Sequence, residues 1–232
     1  MLESITGMAT IFAQLGTILW DLITGSEPDF FRLRSAMRGD GVWLWGVVMT
    51  FVGGFIVSII YRKVPFIERR LEPTLMVTTY LLIGAIIFVE VIRRFVFSVQ
   101  FPWSTTVPGY LFLIMTWTAC SYNVRLRTHL SFSEFRSKMG RLPQMCLLML
   151  DATLWWGICL LVIVTSMGVV ANAGNNFMIV TGTNNVMVWW FLISLPLAFV
   201  LLSGRVFQNL FDDIRKYRNG EKMIEQAVLG GQ

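Results

Sequence analysis

The chain has 232 residues, 55% hydrophobic and only 14% charged, with a net charge of +5. A soluble domain of this length is about one quarter charged, so the composition excludes an ordinary soluble fold. The apolar runs are continuous, which argues against an outer-membrane barrel with its alternating strands. The basic residues flank those runs, which is an orientation signal for a membrane protein and not a nucleic-acid surface.

Taken in chain order, residues 1–40 open with Ile5, Met8, Phe12, Leu15, Leu19 and Leu22 at spacings of three and four. This seam predicts an amphipathic helix resting on the outer membrane surface. The run over 4–23 is nearly long enough to cross, and a sixth span is the alternative reading. The first basic residue is Arg32, so the run lacks the charged start of a cleaved signal peptide. Arg32, Arg34 and Arg38 then stand on the outer side, against the positive-inside trend.

Five spanning helices are expected, at 41–60, 74–97, 107–124, 145–170 and 186–206. The connector 61–73 carries Arg62, Lys63, Arg69 and Arg70, and the connector 98–106 carries no charge. The connector 125–143 is basic, and 171–185 is uncharged and rich in Asn. The tail after Arg205 is basic again. This alternation places 61–73, 125–143 and the C-terminal tail in the cytoplasm. Trp43, Trp45, Trp103, Trp189 and Trp190 fall at the expected outer ends, where indole rings favour the headgroup level.

The connector 125–143 holds five Lys/Arg against one Glu, and the chain's single histidine. Ser131 and Glu134 fit a capping box, and Phe132, Phe135, Met139 and Leu142 recur at helical spacing opposite Arg136, Lys138 and Arg141. Gly140 and Pro143 are expected to end this short surface helix. It either orients the chain among anionic lipids or docks on a partner. His129 cannot supply a bis-histidine haem or a zinc site, and its position suits hydrogen bonding at an interface.

Charges within spans are costly and point to partners. Glu90 is placed to pair with Arg93 or Arg94 on one helix face. Asp151 has no basic residue within four positions, so it is expected to face another helix or a partner subunit. Cys120, Cys146 and Cys159 read as small hydrophobes. No internal repeat, broken helix, phosphate loop or catalytic triad is evident, and only Pro196 and the flexible pair Gly53-Gly54 interrupt the spans. The chain looks like a membrane scaffold that needs a partner, with no metal or cofactor expected.

Over about 66–206 the order of motifs resembles a known family. A span ends in Arg93-Arg94-Phe95, and an outer turn holds Phe101-Pro102-Trp103. The next span leads into Arg127-Thr128-His129-Leu130, and a short amphipathic stretch ends in Arg141-Leu142-Pro143. This is similar to the small membrane subunit of tripartite ATP-independent periplasmic (TRAP) transporters, the DctQ-type family. The chain departs where the family often has Glu after the outer-turn Trp (here Thr105 and Thr106) and an acid four residues after the His (here Ser133, with Glu134 next).

The resemblance implies an all-α integral membrane fold with a four-span small-subunit core over 61–206. An additional spanning helix at 41–60, an interfacial segment over 1–40 and a cytoplasmic tail over 207–232 complete the expected organisation. It implies a non-enzymatic, non-substrate-binding subunit of the bacterial inner membrane. Its partners would be a large elevator-type membrane subunit, a periplasmic substrate-binding protein and membrane lipids. The residues expected at the partner interface are Arg93, Arg94, Trp103, Arg125, Arg127, His129, Glu134 and Asp151. Two other readings stay open: the membrane anchor of a redox enzyme, and a self-contained small channel or transporter.

Overall fold

The computed structural model describes residues 2–127, 136 and 139–222. Its helices are α1 (Leu2–Thr24), α2 (Phe30–Ala36), α3 (Gly41–Lys63), α4 (Pro65–Val96), α5 (Val107–Leu126), α6 (Arg141–Asn175) and α7 (Trp189–Asn219). α7 has a break at Ile193, and an isolated bridge pairs Ile179 with Met187.

The expected connector over 61–73 is a helical hairpin. Only Val64 leaves helical geometry (φ −124°, ψ 83°), and Pro65 starts α4 at its first position. Proline suits that position, since its missing N–H would have no helical partner. α4 then runs on through Pro73 to Val96, so Glu68 and Glu72 sit on a helix face. The other ends also differ from expectation. Gly140 precedes α6, and Pro143 lies in the first turn of that helix instead of ending the connector. α7 continues well past 206, to Asn219. Most of the surface helix expected over 131–142 lies outside the described residues.

α7 is the central helix, with α3, α5 and α6 packed around it, while α4 packs chiefly on α5. α3 and α7 cross closely. A Cβ on Gly204 would collide with Val57, and one on Gly54 with Ser203, so the glycines let the two backbones approach. Gly54 is thus a packing site and not a flexible one. α3 widens into a π turn at Met49–Gly53, where the Thr50 carbonyl accepts from Ser203 Oγ at 2.6 Å.

The bundle has a basic end, where α3, α5 and α7 finish, and an opposite end, where charges of both signs are mixed. α2 closes this opposite end. Phe30 fills the space left by Gly174 of α6 and lies 5.0 Å from the Trp189 ring. α1 also belongs to this end. Gly7 and Met8 touch Gly41, the first residue of α3, and residues 25–29 lead straight from α1 into α2. The protein-facing stripe of α1 is Met8, Ile11, Leu15 and Ile18, whereas Ile5, Leu19 and Leu22 of the expected seam are exposed.

Among the described residues, five helices are long and apolar enough to cross a membrane: α1, α3, α4, α6 and α7. The expected set had α5 where this one has α1. α5 has 20 residues, about 30 Å of helix. It carries Thr116, Thr118, Ser121 and Asn123, which lower its apolarity, and α4 and α7 pack against it. The tryptophans divide as well. Trp43 and Trp190 are exposed, but Trp45 and Trp189 are buried core residues and not headgroup anchors.

Candidate functional site

The densest polar chemistry lies just inside the basic end. Glu72 stands seven residues into α4, about 10 Å of helix rise from Pro65. Glu72 and Arg205 are 0% and 1% exposed. Arg205 Nε donates to both Glu72 oxygens at 3.1 and 3.0 Å, and its Nη2 donates to Oε2 at 2.6 Å. The remaining guanidinium hydrogens reach the Glu68 carbonyl at 2.8 Å and Gln208 Oε1 at 2.9 Å. Glu72 Oε1 also accepts from Ser121 Oγ at 2.7 Å and Tyr61 Oη at 3.3 Å. The Tyr61 ring lies under the guanidinium carbon at 4.1 Å. One ion pair therefore ties together α3, α4, α5 and α7. Its low-dielectric setting strengthens each bond and makes each of them necessary.

A second layer sits nearer the basic surface. Arg125 Nη1 donates to Asp212 at 2.8 Å and Asn209 at 3.0 Å, and its Nη2 is 3.7 Å from Glu68. Arg127 Nη2 donates to the buried Asp213 at 2.6 Å. Arg127 ends α5 in the left-handed region (φ 55°), and Asn209 donates to the Val124 carbonyl at 2.7 Å. α5 is thus stopped and held by α7. Arg205, Gln208, Asn209 and Asp212 form one stripe of α7 by their spacing of three and four.

The expected interface residues are distributed over three places. Arg125 and Arg127 belong to this inner network. Asp151 faces its own chain: Arg136 forms a two-pronged pair with it, Nη2 to Oδ1 at 3.0 Å and Nη1 to Oδ2. That bond raises the Arg136 guanidinium above its ordinary value. Arg93, Arg94 and Trp103 lie at the end opposite the basic one. Glu90 accepts from the Phe101 N–H at 3.1 Å, where pairing with Arg93 or Arg94 was expected. Arg93 instead lies over the Phe101 ring at 3.4 Å, and Trp103 stacks on that ring at 5.8 Å. Arg94 and Phe95 are exposed. His129 and Glu134 lie outside the described residues.

Glu72 and Arg205 were not singled out by the sequence reading. The signal was present as Glu68-x3-Glu72, Ser121-x3-Arg125 and the stripe from Arg205 to Asp212. It was masked because 61–73 was read as a connector and Arg205 as the end of a span bordering a basic tail.

Residues 83–216, more than half of the chain, match the family described as "Tripartite ATP-independent periplasmic transporters, DctQ component". No curated protein and no solved structure was found to match. The matched stretch takes in α5, α6, most of α7 and the Arg205 half of the buried pair, while Glu72 lies before it. The chain belongs to this family: it is a small membrane subunit of a TRAP transporter and a multi-pass inner-membrane protein.

Proposed function

We propose that this subunit does not bind the solute and instead braces the scaffold of a large, elevator-type membrane subunit. That partner would import organic anions with sodium, delivered by a periplasmic binding protein. The solutes implied by the family resemblance are carboxylates, such as dicarboxylates or sialic acid, or sulfonates. The basic end is assigned to the cytoplasm, with the C-terminus, by its arginines and lysines. α1 is assigned to the outer surface, since Gly7 and Met8 meet the start of α3 and residues 25–29 lead from α1 into α2, both opposite the basic end.

One observation carries the reading. α4 has 32 residues and buries only Glu72 and Thr79. Its polar grip is directed inward, onto Arg205, while Leu81, Phe88 and Phe95 expose 62%, 66% and 80% of their surface. These three recur every seventh position and so share one face. A long apolar helix held along one edge suits completion by a partner helix. The interface is accordingly assigned to α4, with Arg94 at its end and Trp103 on its border. Arg125 supports it from within the chain through Glu68, Arg127 holds α5 to α7, and Asp151 is engaged by Arg136.

The test is co-purification of the large subunit with Leu81→Ala/Phe88→Ala. Truncating two central anchors of an interface costs more than about 1 kcal/mol each, so a fall in recovered partner of at least tenfold is expected. Uptake in liposomes should fall with it. Truncation of lipid-facing side chains leaves assembly intact, so unchanged recovery and uptake would place the interface elsewhere.

A further inference from the structure

An open cleft of about 850 Å³ lies at the basic end, beside the buried pair but outside it. Arg62, Arg125, Arg215 and Arg218 line it against Glu68 and Asp212, a surplus of two positive charges. The surplus has an address. Arg125 and Arg215 both face Asp212, at 2.8 and 3.4 Å. Among the described residues, no ion pair engages Arg62 or Arg218. Arg62 is held in place by the Phe211 ring, 4.6 Å below its guanidinium carbon.

Phe211 is also the start of an apolar track. Its ring lies 6.3 Å from Phe55 and 6.2 Å from Phe207, and Phe51 follows 6.4 Å from Phe207. Phe51 and Phe55 are 39% and 44% exposed. They stand eleven and seven residues before Arg62 on α3, so the track runs about 17 Å from the cleft toward mid-helix. A cationic pocket continued by an exposed aromatic strip along a spanning helix matches an amphiphile with an anionic head.

We propose that this cleft binds the phosphate of an anionic phospholipid, with Arg62 and Arg218 on the phosphate and one acyl chain on the Phe51–Phe55–Phe207 strip. Basic pockets between spanning helices bind anionic headgroups in this way. A soluble phosphate ester shares the head chemistry but leaves the strip unused. The site needs only that the chain sits in a bilayer and stands apart from the transporter reading.

The experiment is native mass spectrometry of the full chain purified with its co-expressed partner, given equal phosphatidylglycerol and phosphatidylethanolamine. The wild type should retain phosphatidylglycerol preferentially. Arg62→Gln/Arg218→Gln should weaken that retention about thirtyfold, the effect of two surface cations on an anionic lipid. Arg69→Gln/Arg70→Gln removes the same charge outside the cleft and should change retention far less. If the double variant assembles poorly, Arg218→Gln alone, exposed near the end of α7, should still weaken retention about fivefold. Added glycerol 3-phosphate should fail to displace the lipid. Equal retention of both lipids, equal loss in the two double variants, or displacement by glycerol 3-phosphate would each overturn the proposal.

Discussion

Arg205 and Glu72 are both withdrawn from water, which costs several kcal/mol per ion before any pairing. The pair persists because its donors and acceptors are matched by Tyr61, Gln208, Ser121 and the Glu68 carbonyl. Removing one partner is far worse than removing both. Glu72→Ala should therefore lower the unfolding free energy by about 3–5 kcal/mol, since it strands a buried guanidinium. Glu72→Leu/Arg205→Met should come within about 1 kcal/mol of the wild type or exceed it. Denaturant titration of the purified protein gives both values and both single variants. Additive costs would mean that the two residues act separately, contrary to the geometry. Arg127 follows the same logic more weakly, because its partner Asp213 is buried but Arg127 itself is partly exposed.

Elements show what was readable before the structure. Apolar length located α3, α4, α6 and α7, and the charge alternation located their basic ends. Two features escaped, and the polarity of a third was not foreseen. The α3–α4 hairpin was hidden because charged residues on a helix look like a loop when the run of apolar residues stops. α5 is visible as a helix, but it owes its polarity to the neighbours that shelter it. α1 defied periodicity most clearly, since its seam and its protein-facing stripe share only Met8 and Leu15 among the fully or partly covered positions. A helix lying between lipid and protein has two apolar faces, and periodicity cannot rank them. Its orientation gives a direct test. With Leu2→Cys and Ile23→Cys in separate chains lacking the native cysteines, a membrane-impermeant thiol reagent should label both from the outer side. Labelling from opposite sides would make α1 a sixth span.

At the scale of the molecule, the bundle is held at its two ends by unlike devices. The basic end relies on the Glu72–Arg205 pair and the arginines around it. The opposite end relies on close backbone contact, with the loop after α6 pressed on the turn at Pro102–Thr105. Gly182 makes that contact, at φ +84°, and a Cβ there would collide with the backbone at Pro102 and Trp103. A brace needs both ends fixed, because a helix such as α4 that is anchored only at Glu72 could swing its apolar face. Gly182→Val combines a left-handed penalty of about 1–2 kcal/mol with that collision. Hydrogen exchange should quicken in 98–106 and 176–188, while amides of 118–127 near the buried pair keep their protection. Recovery of the large subunit should fall in step, since the far end of the α4 face lies beside this turn. Uniform loss of protection would instead mean that the two ends open together, and the bundle would then be one cooperative unit with no independent outer clamp.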